Sequence, residues 1–499
     1  MELRFFSYSP YQNRRVSMNY GQFCNQCDAL LKAGDLSSVA KKLTEFSVAR
    51  VPREWRLPLA NLARRAGQVT IGLKILSPLM QPDAIRKPDS KEMAEYAILL
   101  QRCGAVRDAL RWLKEVDTRQ APEALLYKAF CLFNRWDYAA GIEPLQHYIP
   151  LADGEYSRLV GRVNLAAAFV HTRQFAQARE LLKANLSEAA ELKATRLEAN
   201  CREMLAQVYI HTGSLDVAEA LLGAAKTKLS GAVTVDQIFI HTWTGYLSSM
   251  REGNISALLE ARQLAKDQNR AESVREIDLL SLKVNFEEAK FHHLYFGTPY
   301  PEFRKHMVQF LGVEPQAQEY LLGSAGGEKI NLHSGKSESG LEMPKGGKIH
   351  QLFAALARDF YRPQSTGALF SELCPDQHFD IYSSPLRIRQ IVHRARTWAE
   401  TENIPLRIEN ARSGYSLKVE GELGLVIDKV AESVEPVAQL VTKLKAKFAN
   451  GDSFSAKEAQ TELNVTPAIF RRVLKTALES GVAEKFGAST NTVYFIRVA

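Results

Sequence analysis

Between Arg387 and Arg396 the chain carries four arginines, one histidine and one glutamine, and no acid. Arginine forks pair bidentately with guanine edges, glutamine pairs with adenine, and flanking arginines neutralise phosphates. Residues on a helix advance by about 100° each, so the segment divides into two faces. Ile388, Ile391, Val392, Ala395 and Ala399 fall on one side, with Trp398 at its edge. Arg389, Gln390, His393, Arg394 and Thr397 fall on the other, flanked by Arg387 and Arg396. An apolar side for a core and a basic side free of acids suit a helix that reads a nucleic-acid groove. The competing expectation is a solvated basic face on a protein-binding domain.

Other chemistry-bearing residues point to less. Cys24 and Cys27 form a CxxC within a helical pattern, without the second pair or histidines that a zinc site needs. His171 and His211 stand at equivalent places in successive repeats. His292 and His293 are adjacent, so a helix points them about 100° apart, which is poor geometry for one metal ion. Phosphate-loop, metalloprotease, nucleophile-elbow and dinucleotide fingerprints are lacking. The expectation is therefore no catalytic residue, no metal and no cofactor.

The elements that would position the basic face surround it. GGEKINLHSG and GLEMPKGG read as short strands, Lys348–Phe360 as an amphipathic helix, and STGALFSELCP as a second helix capped by Ser365 or Thr366. In SSPLRIRQ, Ser384 serves as N-cap and Pro385 as first helical residue. Residues 404–409 and 415–419 alternate as a hairpin, with Gly414 near the turn. Leading strands, three helices and a closing hairpin over 326–420, with the segment from Ile391 to Trp398 followed by Gly414-Tyr415, resemble the OmpR-type winged helix. That resemblance implies a third helix in the major groove and a hairpin wing on the minor groove or backbone. The family's Arg-Gly-x-Gly-Tyr reads Ala411-Arg412-Ser413-Gly414-Tyr415, so Arg412 replaces the family's first glycine, a departure that either reshapes the wing or adds a phosphate contact. The sequence ahead of it does not read as a receiver domain with a phosphorylatable aspartate.

A second unit over 436–499 repeats the order. A helix ends near Asn450-Gly451, a capping box joins Ser455 to Glu458, and a helix opens with Thr466 as N-cap and stops at Gly481. Two strands then flank a Gly/Ser/Asn turn, as in another winged helix. Its third helix would expose Arg471, Arg472, Lys475 and Glu479. DNA contact and dimerisation or docking are both open for it. The intervening GELGLVIDKVAESVEP reads as a slightly acidic linker.

The N-terminal stretch is a helical repeat. Breaks at Gly34, Gly67, Gly104, Arg135, Arg173, Gly213 and Gly253, with an eighth near Gly297, recur every 31–44 residues. Glycine at such a turn accepts the left-handed backbone that commonly ends a helix. Ala140, Ala178 and Ala218 follow at similar offsets and would let helices pack closely. This grammar resembles the tetratricopeptide (TPR) class of α-solenoid. The resemblance implies stacked hairpins around a concave surface that binds a protein or peptide segment.

The chain has 499 residues, 46% hydrophobic and 24% charged, which is ordinary for a globular protein and excludes collagen-like or mostly disordered classes. Net charge is +8, a mild lean toward polyanions. Six cysteines are too few for a disulfide scaffold, the N-terminus lacks the apolar run of a secretory signal, and no stretch reads as a membrane span. The expected fold class is mainly α: a TPR-like superhelix over 1–320, then small α+β winged helices over 326–420 and 436–499. The expected function is a cytoplasmic bacterial transcription regulator. It binds double-stranded DNA, takes a protein or peptide ligand in the array, and has the option of homodimerisation. The alternative is a non-enzymatic scaffold whose repeats and winged helices assemble other proteins.

Overall fold

The computed structural model describes the chain except residues 1–18, 82, 84–85, 230–234, 345–347, 412, 430–435, 449–452, 464–466, 488–491 and 498–499. The protein is mainly α and divides into two compact units, 1–428 and 429–499. The first holds a helical array followed by a small β-containing region. The second is a small α+β body.

The array begins with α1 (Tyr20–Lys32), α2 (Leu36–Lys42), α3 (Arg53–Arg65), α4 (Val69–Leu76), α5 (Ser90–Arg102), α6 (Val106–Glu115), α7 (Glu123–Phe133) and α8 (Tyr138–Leu151). It continues with α9 (Gly154–His171), α10 (Phe175–Glu191), α11 (Thr195–His211), α12 (Leu215–Lys228), α13 (Val235–Glu252), α14 (Ser256–Asp267), α15 (Ala271–Val284), α16 (Glu288–Phe296) and α17 (Pro301–Leu311). From α3 to α16 each helix packs on the next, and α3, α5 and α7, then α9, α11, α13 and α15, touch one another in a shared layer. Each helix pair therefore buries its apolar face against the next, since one alone could not.

Most turns follow the spacing in the sequence. Gly34, Gly67, Gly104, Gly213 and Gly253 have positive φ, as does Arg173. At the fourth break the left-handed residue is Trp136 (φ 60°) rather than Arg135. A left-handed tryptophan is costly, but the geometry turns its ring inward. There the indole N–H donates to Glu272 (2.9 Å) and the ring packs on Phe303 at 4.5 Å. Gly297 ends α16 with ordinary negative φ. Ala178 and Ala218 are buried as expected, but Ala140 is exposed. Its neighbour Gly141 makes the close approach instead, where an added Cβ would lie 2.4 Å from the Phe133 ring.

Helix α17 packs on the array rather than extending it. Phe303, Met307 and Phe310, spaced to share one face, are buried. Phe303 meets Trp136, and Phe310 meets His211 at 5.9 Å. The last helix of the array thus folds back on residues from much earlier in the chain, at Trp136 and His211.

Four short strands follow the array in chain order or return to it: β1 (Glu319–Gly323), β2 (Glu328–Asn331), β3 (Lys336–Ser337) and, much later, β6 (Leu423–Asp428). Their sheet order is β1-β6-β2-β3, with β6 antiparallel to β1 and parallel to β2. This corrects two expectations. The GLEMPKGG stretch forms only an isolated bridge, Lys336 to Glu342, and its last residues lie outside those described. The supposed linker from Gly421 contains β6, the central strand of the sheet, so any connection to the second unit begins after Asp428. Between β3 and β6 come α18 (Lys348–Leu356), α19 (Thr366–Leu373), α20 (Ser383–Thr401) and the hairpin β4 (Leu406–Ala411) and β5 (Gly414–Val419). Helix α18 ends four residues before Phe360.

The second unit comprises α21 (Pro436–Lys447), α22 (Ala456–Leu463), α23 (Pro467–Glu479), β7 (Ala483–Phe486) and β8 (Val493–Ile496). Leu444, Phe454, Phe470, Val473 and Ala477 form its core, and the Ser455–Glu458 capping box is present in both directions. The expected breaks at Asn450-Gly451 and Thr466 lie outside the described residues.

Candidate nucleic-acid interface

Helix α20 forms where the sequence places it, with a different cap. Its first residue is Ser383, and Asp380 does the capping: its carboxylate accepts from the Tyr382 and Ser383 N–H groups (3.1 and 2.7 Å). Ser384, expected as the cap, is buried inside the first turn, where its hydroxyl accepts from the Asp380 N–H at 2.9 Å. The 19-residue helix then divides by burial as its sequence divides by type. Ile388, Ile391, Val392, Ala395 and Ala399 are buried, and Trp398 lies half-buried against Phe353 at 5.8 Å. Arg387, Arg389, Gln390, His393, Arg394 and Thr397 are exposed.

What holds this face in place is a small core. Phe353 of α18, Leu369 and Phe370 of α19, and Leu406 and Ile408 of β4 pack under α20, each 7% exposed or less. The hairpin is in register from Leu406 opposite Val419 to Ala411 opposite Gly414. Gly414 has φ 154°, and an added Cβ there would lie 2.1 Å from the Gln364 carbonyl. Tyr415 and Gln364 exchange backbone hydrogen bonds at 2.8 and 2.9 Å, which fastens the hairpin tip beside the start of α19.

Arg396 does something the sequence did not reveal. Grouped with the phosphate-neutralising arginines, it is half-buried and donates to the Ile408 carbonyl (3.0 and 2.6 Å) and to Asn410 Oδ1 (3.0 Å). Its fork ties α20 to the hairpin. Arg387 donates to the Gln377 side chain. Arg389, His393 and Arg396 line an open cleft of about 620 Å³ with Thr366, Asn410 and Tyr415. A cleft between a basic helix and a hairpin can seat a polyanion edge, with forked donors on one wall and the hairpin on the other. Arg412 lies outside the described residues.

On α23 of the second unit, Arg471 and Lys475 are exposed and Arg472 is half-buried, while Phe470, Val473 and Leu474 turn inward. The side chain of Glu479 lies outside those described; two exposed cations, with the half-buried Arg472 beside them, share that face.

The β-containing region is fastened to the array by polar contacts at two places. At one, Arg107 donates to the Ser371 carbonyl (3.0 Å), Ser365 to the Cys103 carbonyl (2.9 Å), and the Phe379 N–H to Asp108 (3.3 Å). At the other, Arg275 of α15 meets Asp359 at 2.6 Å, both side chains fully buried. Arg275 also pairs with Glu272, Arg362 donates to the Tyr300 hydroxyl at 2.7 Å, and Tyr361 donates to Asp278 at 2.9 Å. Burial raises the Asp359 pKa against the pull of Arg275 and Arg362. For Glu272, burial is outweighed by the same two arginines and the pKa falls. The one signal in the sequence was an arginine among the apolar positions of α15, between Val274 and Ile277.

The histidines set aside as repeat features also prove to be neighbours. His171 and His211 end α9 and α11, and with His306 of α17 they line a small interior cavity of about 30 Å³ beside Glu276 and Gln207. His171 stacks on Tyr138 at 3.9 Å and His211 on Phe175 at 5.1 Å. Burial pushes His171 down to about 3 and His211 and His306 to about 4. Burial raises Glu203 to about 8 and Glu276 to about 7. Cys24 and Cys27 lie on α1, Cys27 fully buried. Among the described residues no helix is long and apolar enough to cross a membrane.

No protein-family model matches the chain, and no curated protein matches it.

Proposed function

We propose that this chain is a sequence-specific, double-stranded-DNA-binding transcription regulator that makes and breaks no covalent bond. The observation that carries it is the exposed face of α20 from Arg387 to Thr397: Arg387, Arg389, Gln390, His393, Arg394 and Thr397, with no acid in that stretch, over a buried apolar face. In this reading α18 to β5 act as an OmpR-type winged helix. Helix α20 enters the major groove, Arg389 and Arg394 address guanine edges, and Gln390 addresses adenine. The β4–β5 hairpin serves as the wing, with Arg396 positioning it rather than neutralising phosphate.

The array acts as a TPR-like receiver of a protein or peptide segment. Helix α17 already packs on the array at Trp136 and His211, so in this reading the receiving surface is the other end. There α1, α3, α5 and α7 line an open groove of about 540 Å³ that includes Asn25, Asn61, Arg65, Lys91 and Tyr127. Amide and charged side chains along successive first helices suit an extended peptide with unpaired backbone groups.

The test is selection of a binding sequence from random duplexes, followed by gel shifts with wild type and an Arg389→Ala/Arg394→Ala variant. Equal affinity of both proteins for every duplex would refute DNA reading by α20 and favour the scaffold alternative. In that alternative the same basic face docks a protein.

A further inference from the structure

A second basic cleft lies where the array meets the β-containing region, and the proposed DNA reading does not use it. It has a volume of about 550 Å³, within the range of small-molecule sites. Helix α6 contributes Arg107, Arg111 and Lys114; the α7–α8 turn contributes Arg135; Arg358 and Arg362 come from the other side. The one acid on the lining, Glu372, is taken up by Arg358 at 2.5 Å. Behind the lining, Arg111 also meets Asp108 at 3.5 Å, and Arg362 meets Glu272 and Asp359 at 3.6 and 3.7 Å. The excess positive charge therefore rests on Arg107, Lys114 and Arg135, in a partly enclosed space where charges are screened less than at an open surface.

These cations are not loose. Arg107 and Arg111 each hold a main-chain carbonyl across the junction, of Ser371 at 3.0 Å and of Gln377 at 3.3 Å. Arg362 is steadied by the Tyr300 hydroxyl at 2.7 Å. Guanidinium groups held in this way offer their remaining N–H donors with little ordering left to lose. Lys114 and Arg135 are exposed and have no ion-pair partner among the described residues. Between the cations, Leu110, Leu369 and Ala355 supply apolar lining. Fixed arginine forks plus an apolar patch match a ligand with a multiply charged end and a flat or apolar end.

We propose that this cleft binds a small phosphate-bearing organic molecule, a nucleotide in chemical class, and that the ligand clamps the array to the β-containing region. Each wall comes from a different part of the unit, so the ligand favours their docked arrangement by its binding free energy.

The experiment uses the full chain at physiological salt. Calorimetric titration and thermal unfolding are run with a nucleoside triphosphate, a sugar monophosphate, inorganic tripolyphosphate and an unphosphorylated nucleoside. Expected are saturable binding and a raised Tm with the nucleotide, weaker effects with the sugar phosphate and tripolyphosphate, and none with the nucleoside. A Lys114→Glu/Arg135→Glu variant changes two exposed residues, so its ligand-free Tm should stay put. Its nucleotide affinity should fall by at least about tenfold, the order expected from losing charge-assisted contacts. An Arg179→Glu/Lys183→Glu variant, altering exposed cations on α10, should bind as wild type. The absence of saturable binding by any phosphate compound at millimolar concentration would overturn the proposal, as would equal losses in the two variants. If nucleotides do not bind and the Lys114/Arg135 variant instead flattens the salt dependence of duplex binding, the cleft belongs to the DNA path and the proposal fails. Because duplex binding is read separately, failure here is distinguishable from failure of the α20 assignment.

Discussion

Residues 348–419 and 436–496 run through the same order of elements, three helices and a hairpin, yet they are stabilised in different ways. The first region shares a hydrophobic core with the helical array and is fastened to it by the fully buried Arg275–Asp359 pair. The second has its own core around Phe454 and Phe470 and forms a separate compact unit. The third helices differ too. Helix α20 spans 19 residues and exposes four cationic or amide side chains at Arg387, Arg389, Gln390 and Arg394, whereas α23 spans 13 and exposes Arg471 and Lys475. Repeating a topology does not repeat a function. The region built into the array is the one that carries the proposed base-reading face, so under that proposal whatever the array binds has a packed route to it.

The largest expected effect tests the fastening. Asp359→Ala leaves the Arg275 guanidinium buried with only Glu272 beside it, and removing one partner of a buried pair costs about 3–5 kcal/mol. Chemical denaturation of this variant should lower the transition of the first unit and leave that of the second unchanged. Arg275→Met/Asp359→Leu, which removes both charges, should recover most of the loss. A shift of both transitions together would mean that the two units do not unfold independently.

Next comes the contrast between the helices. Arg394→Ala should weaken binding to the selected duplex by about 1–3 kcal/mol and relax preference at one base position. Arg471→Ala should weaken binding uniformly, by less than about 1 kcal/mol, and reduce the salt slope by about one counterion. Base-specific loss at Arg471 would make the second region a reader as well.

Acidity separates the two units further, because residues 429–499 contain no histidine. In the array, His171 titrates near 3 and His211 and His306 near 4 when folded, against about 6.5 in an unfolded chain. The stability due to their neutral folded forms is present above 6.5 and is lost as pH falls toward 4. Glu203 and Glu276, raised to about 8 and 7, act oppositely: their contribution is present below about 4.5 and is lost as pH rises through 7 and 8. Where the windows overlap, three protons oppose two, leaving a net slope of about 1.4 kcal/mol per pH unit. For these five groups stability therefore peaks near pH 6.5. Denaturation midpoints across pH 4.5–8 should show that maximum for the first unit and not for the second. A first unit insensitive to pH, or one whose maximum survives His171→Gln/His306→Gln unchanged, would remove the histidine cluster as its source.

What could be read from the sequence was local. The two faces of α20 follow from a 3.6-residue period, the hairpin from alternation up to Gly414, and most array turns from glycines that adopt positive φ. What could not be read depended on partners far along the chain. Strand β6 is short, glycine-flanked and next to acids, so it resembles a linker until β1, about a hundred residues earlier, pairs with it. Arg275 and Asp359, and the convergence of His171, His211 and His306, are long-range meetings that no spacing encodes. By residue type Arg396 resembles its neighbouring arginines, but its half-buried position on α20 turns it toward β4.

That last point yields the smallest effect. Arg396→Lys keeps the charge but cannot reproduce a fork bonded to both the Ile408 carbonyl and Asn410. The hairpin would then lose one tie to α20, at a cost of up to about 1 kcal/mol in binding. Because the residue positions the hairpin without touching a base, affinity should fall equally for preferred and scrambled duplexes. The salt slope should stay the same, since no phosphate contact is lost. Arg394→Lys, by contrast, should change which base is preferred at one position while leaving the hairpin in place. If Arg396→Lys alters base preference instead, the fork must leave Ile408 on binding and reach the groove. The array-fastened region would then rearrange when it engages DNA rather than meet it preformed.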